Sequence, residues 1–338
     1  MTLDDLSSGR RDAVLGGNFM LGSLANHTLL EKLITEHDFA GVMHFASFIQ
    51  FGESALDQAK YYRNNVANTL NLLETMVRHG VSSFLFSSSA AIFGEPRYTP
   101  IDESHPKAPI NPYGHTKLMV EEMLADFDRA YGLKSTCLRY FNAAGANPEG
   151  KLGERHDPET HLIPLILQAA AGLRPVITVF GQDYDTLDGT CIRDYIHVDD
   201  LCQAHLLALE QLWEVAPSMA YNLGNGQGFS VCEVIDAARQ VTGRDIPVKY
   251  GERREGDPAR PVADSSLAQE RLGWRPNYPE IEKIIAHAWH WALAGKKTIV
   301  KHRSLTSSIV AKCRPVWPIS IISGFGITVP PATFLLTP

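Results

Sequence analysis

Apolar strands and amphipathic helices alternate along residues 1–180, and this alternation constrains the fold more than any other feature of the chain. Residues 41–46 form a continuous apolar run, and residues 81–89 are strand-like. Residues 55–80 and 112–132 have helical spacing, and the second segment has proline at its start and glycine at its end. Repeated strand–helix–strand units with apolar strands are typical of parallel sheets that helices cover on both faces. We therefore predict an α/β fold with a doubly wound parallel sheet.

The last part of the chain departs from this pattern. Residues 315–338 contain five prolines and no charged residue. They lack the roughly 20 uninterrupted apolar residues that a transmembrane helix needs, and they lack the periodicity of a packed element. We expect residues 299–338 to form an atypical tail that is disordered and prone to aggregation.

Charge and cysteine content exclude several classes of protein. The 338-residue chain has a formal net charge of −7, which argues against nucleic acids and anionic membranes as partners. Its five cysteines show no CxxC or other metal-ligand spacing. A reduced, cytoplasmic protein without a metal site is the simplest interpretation. No basic segment followed by an apolar run stands at the N-terminus, so we expect no signal peptide.

Two carboxylates follow a short apolar segment in the first ten residues, MTLDDLSSGR. A carboxylate at the end of a strand is typical of the ribose ligand in dinucleotide-binding folds, where a glycine-rich loop precedes it by about 20 residues. Only Met1, Thr2 and Leu3 precede Asp4. The residues alone leave two alternatives, which are a dinucleotide-binding strand without its first βα unit and a surface turn.

Tyr113 and Lys117 stand four residues apart at the start of the helix predicted for residues 112–132. This spacing places both side chains on one face of the helix. The ammonium group and the positive charge of an oxidised nicotinamide would lower the tyrosine pKa from about 10 toward neutrality. Such a phenolate can act as a general base toward a sugar hydroxyl, and a serine at the end of the strand 81–89 can share the proton. A surface Tyr–Lys pair is the alternative.

Several motifs together resemble the extended short-chain dehydrogenase/reductase superfamily, and within it the UDP-glucose 4-epimerase family. The resemblance extends from about Leu3 to Gly295. Its most specific motifs are HFASFIQFGES (44–54), YYRNNVANTLNLLE (61–74), FSSSAAIFGE (86–95), PINPYGHTKLMVE (109–121), LRYFNAAGA (138–146), ETHLIP (159–164), DGTCIRDYIHVDDL (188–201) and RREGDP (253–258).

The resemblance implies a domain organisation. Residues 1–145 would form a Rossmann-type NAD-binding domain without its first βα unit. Residues 146–298 would form a smaller C-terminal α/β substrate domain that binds the nucleotide sugar, with residues 177–215 returning partly to the cofactor domain. Residues 299–338 lie outside the resemblance. A homodimer in the cytoplasm is the expected assembly.

The resemblance also implies an activity, the NAD-dependent C4 epimerisation of UDP-glucose and UDP-galactose through a transient 4-keto sugar. Tyr113 would take the proton from the sugar 4-hydroxyl, and Ser89 would hold or relay it. Lys117 would bind the nicotinamide ribose and lower the tyrosine pKa. In such an enzyme the cofactor supplies the redox chemistry, while the protein supplies position and electrostatics.

Further positions carry binding roles that the resemblance implies. Those expected to contact NAD are Asp4, Leu24, Phe45, Ala46, Asn64, Ser87, Tyr113, Lys117, Tyr140 and Phe141. Those expected to contact the UDP-sugar are Ser89, Asn142, Leu162, Phe180, Arg193, Tyr195, Val231, Arg254 and Asp257. A solvated surface position is the alternative for the asparagine at 64 and for both arginines, and core packing is the alternative for the aromatic residues and the valine. We expect His44 to be structural.

Departures from the family pattern keep the substrate open. Ala90 and Ala91 follow Ser89, so the chain lacks the additional acid and base that the related sugar 4,6-dehydratases carry there. Ser23 replaces an acid that touches adenine in many members. Pro261 stands where some members carry a bulky tyrosine, so UDP-N-acetylglucosamine is an alternative substrate. UDP-pentoses are a further alternative.

The absent first unit motivates a second hypothesis. In a doubly wound sheet of order 3-2-1-4-5-6 the first strand is central. Without it, its two neighbours would lie roughly 9–10 Å apart, and each unpaired backbone group would cost about 1–3 kcal/mol. We do not expect residues 315–338 to fill this gap in parallel register. An unstable, inactive remnant that binds NAD poorly is therefore the alternative to an active enzyme.

Overall fold

The computed structural model describes residues 1–214, 216–254, 258–306 and 333–336, and it describes side chains up to residue 294. Its strands are β1 (Thr2–Asp4), β2 (Phe19–Leu21), β3 (Gly41–His44), β4 (Ser83–Ser87), β5 (Lys134–Tyr140), β6 (Asn142–Ala144), β7 (Ile177–Phe180), β8 (Ile192–Arg193), β9 (Tyr195–His197), β10 (Met219–Leu223), β11 (Phe229–Ser230), β12 (Val248–Gly251) and β13 (Thr333–Leu336).

The described α-helices are α1 (His27–Glu36), α2 (Phe51–Leu56), α3 (Gln58–Tyr61), α4 (Asn68–Arg78), α5 (Pro112–Tyr131), α6 (Leu162–Ala170), α7 (Val198–Trp213), α8 (Val231–Thr242), α9 (Ser266–Arg271) and α10 (Ile281–Thr306). Short 3₁₀ helices cover Arg11–Ala13 and Ala90–Phe93, and a π-helical segment covers Tyr62–Ala67. None of the described helices is both long and apolar enough to cross a membrane.

Seven strands form one parallel sheet in the order β10-β5-β4-β3-β13-β1-β2. Three two-stranded sheets, β11-β8, β12-β7 and β6-β9, follow in the second half of the chain. The predicted α/β fold with a Rossmann-type parallel sheet is therefore confirmed.

Strand β13 lies inside the sheet, between β3 and β1. Leu335 is paired with Thr2 of β1 on one side and with Met43 of β3 on the other, and both pairings are parallel. The expectation that residues 315–338 leave a gap is therefore wrong. The buried ladder groups of β1 and β3 need partners, and a strand that is distant in sequence supplies them as well as a neighbouring one.

The expectation of a disordered tail is also wrong for part of residues 299–338. Helix α10 continues to Thr306, and Thr333–Leu336 form β13. Residues 307–332, 337 and 338 of the predicted tail lie outside the described residues. The stretch from Thr333 to Leu336 combines a β-branched, an aromatic and two apolar residues, which suits a strand buried on both faces.

Helices cover both faces of the sheet. On one face, Leu30 of α1, Leu72 of α4 and Val120 of α5 belong to one buried cluster. On the other face, Leu209 of α7 and Trp274 belong to a second cluster. Because full burial of a large apolar side chain contributes roughly 1.5–3 kcal/mol, both faces favour strands that are apolar throughout. This is the pattern that the sequence shows.

Helix α5 is capped at both ends. The Asn111 side chain accepts a hydrogen bond from the Gly114 N–H at 2.8 Å, and Pro112 is the first helical residue. Gly132 ends the helix with φ of 70°, a left-handed conformation that favours glycine. The helix predicted for residues 112–132 is confirmed. Its first turn places Tyr113 and Lys117 near the carboxyl ends of the parallel strands.

The segment 55–80 is interrupted rather than a single helix. The π-helical segment Tyr62–Ala67 separates α3 from α4. Within it, the Asn65 side chain accepts from the Phe48 N–H at 2.9 Å and donates to the Phe48 carbonyl at 3.0 Å. It also donates to the Thr116 hydroxyl at 3.1 Å. These bonds connect the π-helical segment to the loop that follows β3 and to α5. Single π-helical turns are frequent at functional sites.

The second half of the chain has its own buried cluster. Ile166 of α6, Val179 of β7, Val234 of α8 and Ile284 of α10 belong to it. Helix α8 begins with a capping box in which the Ser230 hydroxyl and its partner three residues later satisfy each other's backbone N–H groups. This half supplies the elements on which the predicted sugar-binding residues lie.

Candidate active site

A surface cavity lies at the carboxyl ends of β1, β2 and β3. Its lining includes Asp4, Leu24, Ala46 and Asn64, so four of the residues predicted to contact NAD lie together. Ser23 also lines it. Ligands of doubly wound folds bind outside the carboxyl ends of the strands, which is where this cavity lies.

Asp4 gives this cavity a buried carboxylate. Its residue is only 2% exposed, and its Oδ1 accepts a hydrogen bond from the Leu6 N–H at 2.6 Å. A Cβ on Gly9 would lie 2.1 Å from Asp4 Oδ2, so only glycine allows the chain to pass this close to the carboxylate. Asp5, the next residue, is exposed. A carboxylate held in this way fits the diol of a cofactor ribose.

Tyr113 is buried at the start of α5, and its ring contacts Phe51 edge to face with centroids 5.3 Å apart. Burial raises the pKa of its phenol above the usual value, although the neighbouring Ser89 hydroxyl acts in the opposite direction. This direction is opposite to the sequence-based expectation, which relied on Lys117 and on the charge of a nicotinamide. In the protein alone, desolvation of the phenolate is the dominant effect.

Lys117 is held rigidly one turn further along α5. Its Nζ donates to the Ser47 hydroxyl at 2.9 Å and to the Ser87 carbonyl at 2.7 Å. The Nζ lies 5.8 Å from the centre of the Tyr113 ring. Burial lowers the pKa of Lys117 to about 7, and the nearby Cys137 and Glu121 only partly oppose this. The side chain therefore points its proton-bearing nitrogen at the loop after β3 and at the end of β4.

Two serines at the end of β4 flank this pair. Ser89 is buried, and its hydroxyl accepts from the Ala91 N–H at 3.1 Å at the start of a 3₁₀ turn. The Ser87 hydroxyl shares a hydrogen bond with the Tyr140 hydroxyl. Burial raises the pKa of Tyr140, so this phenol stays protonated. The predicted residues Ser87, Ser89, Tyr113, Lys117 and Tyr140 thus lie on the adjacent elements β4, α5 and β5.

An ion pair under these residues was missed by the sequence analysis. Arg139 of β5 donates from Nε and Nη2 to the two carboxylate oxygens of Glu121 at 2.8 and 2.7 Å. The Ser88 hydroxyl donates to the same carboxylate at 2.7 Å, and Lys107 lies 3.2 Å away. Although burial opposes ionisation, Arg139 holds the pKa of Glu121 below its usual value. The sequence did carry a signal for this ion pair, because Arg139 stands inside a strand that is otherwise predicted to be buried.

His44 has a structural role in this geometry, as expected. Its Nε2 is 2.7 Å from the Thr69 hydroxyl, and its Nδ1 accepts from the Ala46 N–H at 3.1 Å. Burial and the charge of Lys117 lower its pKa to about 3, so the ring is neutral. By fixing the Ala46 N–H, this ring shapes the strand end that lines the cavity. The ring of the neighbouring Phe45 contacts that of His205 in a tilted arrangement with centroids 4.9 Å apart.

Three of the predicted sugar-binding residues, Asn142, Arg193 and Tyr195, lie on β6, β8 and β9. The Asn142 amide donates to the Asp194 carbonyl at 2.9 Å. Arg193 donates from Nη1 to the carbonyls of Ile192 and Pro258 at 2.7 and 2.8 Å, so its guanidinium connects β8 to the segment at Pro258. Phe141, expected beside NAD, packs against a small cluster around Phe93.

The remaining positions divide between exposed and core environments. The guanidinium of Arg254 lies 3.9 Å from the centre of the Phe180 ring, which is a cation–π contact. Tyr195 and Val231 are buried in the cluster of the second half. Leu162 is the first residue of α6 and packs partly against that cluster. Asp257 lies outside the described residues.

The parallel sheet, the cavity at its carboxyl edge and the buried Tyr–Lys pair together define a dinucleotide-dependent enzyme of the Rossmann class. Residues 1–224 match the model of the NAD dependent epimerase/dehydratase family. The chain belongs to this family.

Curated and solved relatives agree with that assignment. The chain is 50% identical over 291 residues to a UDP-glucose 4-epimerase from Halalkalibacterium halodurans, with 86% of this chain and 87% of the relative covered. It is similar to the crystal structure of the Brucella ovis UDP-glucose 4-epimerase in complex with NAD, with a TM-score of 0.83, 48% identity and coverages of 86% and 89%. The UDP-Glc/GlcNAc 4-epimerase from Campylobacter jejuni gives a TM-score of 0.75, 43% identity and coverages of 86% and 91%.

Proposed function

We propose that this chain interconverts UDP-glucose and UDP-galactose by NAD-dependent epimerisation at C4. The observation that carries the proposal is the buried Tyr113 beside Lys117 and Ser89, at the edge where the Asp4 cavity opens. This donor set suits a reaction that removes a proton from a secondary hydroxyl and returns it to the same oxygen. Ser89-Ala90-Ala91 supplies no second acid–base pair, so elimination chemistry is not supported.

The residues of the chain divide the work between binding and proton transfer. Asp4 would accept hydrogen bonds from the cofactor ribose, and Leu24, Ala46 and Asn64 would line its site. When bound, NAD supplies the hydride acceptor and donor at the sugar C4.

Tyr113 would accept the proton of the sugar 4-hydroxyl and later return it, with Ser89 holding the same hydroxyl. The protein alone keeps this phenol protonated. A positive charge brought close to the ring would favour the phenolate, so proton acceptance would be restricted to the complex with the oxidised cofactor. Lys117, fixed by Ser47 and Ser87, would orient the cofactor ribose and keep a cation near the ring.

The test is conversion of UDP-galactose to UDP-glucose by the purified full chain, followed with a coupled dehydrogenase. We expect Tyr113→Phe to lower kcat by about 10²–10⁴-fold, because it removes the acid–base hydroxyl. Tyr131→Phe is the matched control, since this exposed tyrosine stands at the other end of the same helix. Activity in Tyr113→Phe equal to that of the control would exclude the proposed role.

UDP-N-acetylglucosamine is the second substrate to test. The half-buried Pro261 follows the segment that holds Arg193 through the Pro258 carbonyl, and proline is smaller than the tyrosine of some family members. The Campylobacter jejuni neighbour, by its name, acts on both UDP-Glc and UDP-GlcNAc. We expect turnover of both substrates, and we expect Pro261→Tyr to reduce the N-acetylated one selectively. Absence of turnover of UDP-GlcNAc by the native chain would exclude N-acetylated sugars as substrates.

We also propose a homodimer in a reducing, cytoplasmic setting. Cys137, Cys191, Cys202 and Cys232 carry free thiols, which suits a reducing compartment. Leu70 of α4 and Met119 of α5 are exposed apolar side chains on helices that contact each other. A second copy could cover this face. Sedimentation of the native chain as a monomer at micromolar concentration would contradict the dimer.

A further inference from the structure

Four potential metal ligands converge in the loop before α6. One ligand atom from each of Glu154, His156, Glu159 and His161 lies within 4.8 Å of all the others. The four residues fall within eight positions of the chain, so bringing them together closes only a short loop. The sequence-based expectation of no metal rested on cysteine spacing and did not weigh this cluster.

His156 is the most buried histidine of the cluster, with a side chain that is only 9% exposed. Its Nδ1 lies 2.8 Å from Oε1 of Glu154 and 3.5 Å from Oε1 of Glu159. The Nδ1 of His161 also contacts Oε1 of Glu154. Both imidazoles therefore direct the same kind of ligand atom at the same carboxylates, and a cation bound among them would replace these ion pairs.

The charges and donor atoms suit one class of cation. Two carboxylates would balance the charge of a divalent ion. The same carboxylates raise the pKa of both histidines although burial opposes this, so each imidazole would release its proton to solvent when it binds the ion. Imidazole nitrogen and carboxylate oxygen are ligands of Zn²⁺ at about 2.0–2.2 Å, and they are also used by other late first-row metals. Mg²⁺ and Ca²⁺ prefer sites built of oxygen alone. Tetrahedral ligands at those distances stand about 3.3–3.6 Å apart, and the ligand atoms of the cluster, which include pairs at 2.8, 3.5 and 4.0 Å, would have to move only slightly to reach this spacing.

Other contacts fix this loop from outside the cluster. The Trp291 Nε1 of α10 donates to the Glu154 carbonyl at 3.2 Å, and a Cβ on Gly153 would lie 2.3 Å from the Trp291 ring. Arg155 donates to Asp12 at 2.9 Å. The Glu154 and Glu159 side chains are 14% and 7% exposed, whereas His161 is 48% exposed. Three of the four side chains of the cluster are therefore largely buried, and His161 is the one that is open to solvent.

We propose that Glu154, His156, Glu159 and His161 bind a divalent transition-metal ion, for which Zn²⁺ is the probe. The ion fixes the loop at the N-terminus of α6, since the His161 carbonyl accepts the Leu165 N–H at 3.1 Å in the first turn of that helix. It thereby positions Leu162, the first residue of α6. The ion takes no part in proton or hydride transfer.

The test measures metal binding directly. The full chain, with any affinity tag removed, is treated with a chelator and dialysed against Zn²⁺, and bound zinc is counted by elemental analysis. We expect one zinc per chain, and we expect Co²⁺ in its place to give the visible absorption of a tetrahedral site. Zinc should also raise the Tm, because an ion that binds only the folded state stabilises it.

Matched variants separate a metal site from a cluster of ion pairs. We expect His156→Ala to weaken zinc binding by about tenfold or more and to abolish the rise in Tm. Glu159→Gln keeps the size of the side chain and should have the same effect. It replaces His156→Ala in the experiment if that variant fails to fold. The double variant His27→Ala/His37→Ala removes two exposed histidines and should bind zinc like the native chain. Equal zinc affinity in all these proteins, or no zinc retained by the native chain, would overturn the proposal.

Discussion

The strands on the two sides of β3 in the parallel sheet differ in length. The catalytic side consists of β4, β5 and β10, with five, seven and five residues, and every residue of β4 is buried. The cofactor side consists of β13, β1 and β2, with four, three and three residues. Leu21 at the end of β2 is 62% exposed. The buried Tyr113 and Lys117 adjoin the side with the longer strands, and the ribose cavity lies at the ends of shorter strands.

This difference suggests a division of stability. Proton transfer requires side chains held in fixed, desolvated positions, and deep burial on the catalytic side supplies them. A cofactor contributes its own binding free energy to the side on which it binds, so that side can be weaker in the protein alone. The following predictions test this comparison.

The largest change in the free energy of unfolding is expected at the buried ion pair of the catalytic side. Glu121→Gln removes one partner of the buried pair with Arg139, whose side chains are only about 4–5% exposed. Leaving a buried charge unpaired costs about 3–5 kcal/mol, and chemical denaturation would measure this loss. Glu122→Gln is the control, because this glutamate is exposed on the same helix. Equal unfolding free energies for the two variants would mean that the pair does not support the site.

A smaller loss is expected on the cofactor side. Leu335→Pro removes the backbone N–H of a residue that is paired with both Thr2 and Met43. An orphaned ladder group costs roughly 1–3 kcal/mol, and proline is not tolerated in a central strand. We expect a lower Tm that saturating NAD partly restores. Leu335→Ala keeps the N–H and controls for the side chain, and an unchanged Tm in the proline variant would show that β13 does not complete the sheet.

Cofactor affinity should depend on Asp4 and not on a carboxylate outside the cavity. Asp4→Asn keeps an acceptor oxygen for the Leu6 N–H but removes the charge that strengthens hydrogen bonds to a ribose diol. We expect NAD to bind about tenfold more weakly, since hydrogen bonds to charged groups contribute about 1.5–3 kcal/mol. Asp38→Asn changes the same charge at an exposed position that does not line the cavity, and it should leave the Kd unchanged. Calorimetry of the protein stripped of nucleotide would measure both.

A further expected effect is a change of stability with pH. Burial lowers the pKa of Lys117 to about 7 in the folded protein, while the unfolded chain titrates at the usual lysine value of about 10.4. Between these values the unfolded state holds more protons, so the contribution of this group to stability rises with pH. Lys117→Met should therefore exceed the native chain in Tm at pH 7, and the gap should narrow at pH 9. A gap independent of pH would mean that the lysine is not desolvated.

Local sequence signals predicted much of the fold. The caps at Asn111, Pro112 and Gly132 defined α5, and the strand–helix alternation defined the parallel sheet. The position of β13 could not be predicted in the same way, because a ladder gap can be filled by a strand from any part of the chain. The π-helical segment was missed because it depends on hydrogen bonds from Asn65 to distant residues.

The sequence predicted which residues belong to the candidate site, but not which distant residues they contact. Family motifs identified Asp4, Tyr113 and Lys117, and the structure brings the lysine to Ser47, which is 70 positions away. That contact has no local signature. The pKa of Tyr113 could not be inferred from its spacing to Lys117 either, because burial of the ring depends on packing against elements such as α2.

The position of β13 inside the sheet also affects how this protein is made. Strand β13 is roughly 290 residues beyond its partner β3, so their pairing is among the most non-local contacts of the fold. At synthesis rates of about 5–20 residues per second, β1 and β3 wait roughly 15–60 s for the strand between them. Two unpaired strand edges in the nascent chain are candidates for chaperone binding during that interval. The order of translation thus makes the cofactor side the last part of the sheet to close.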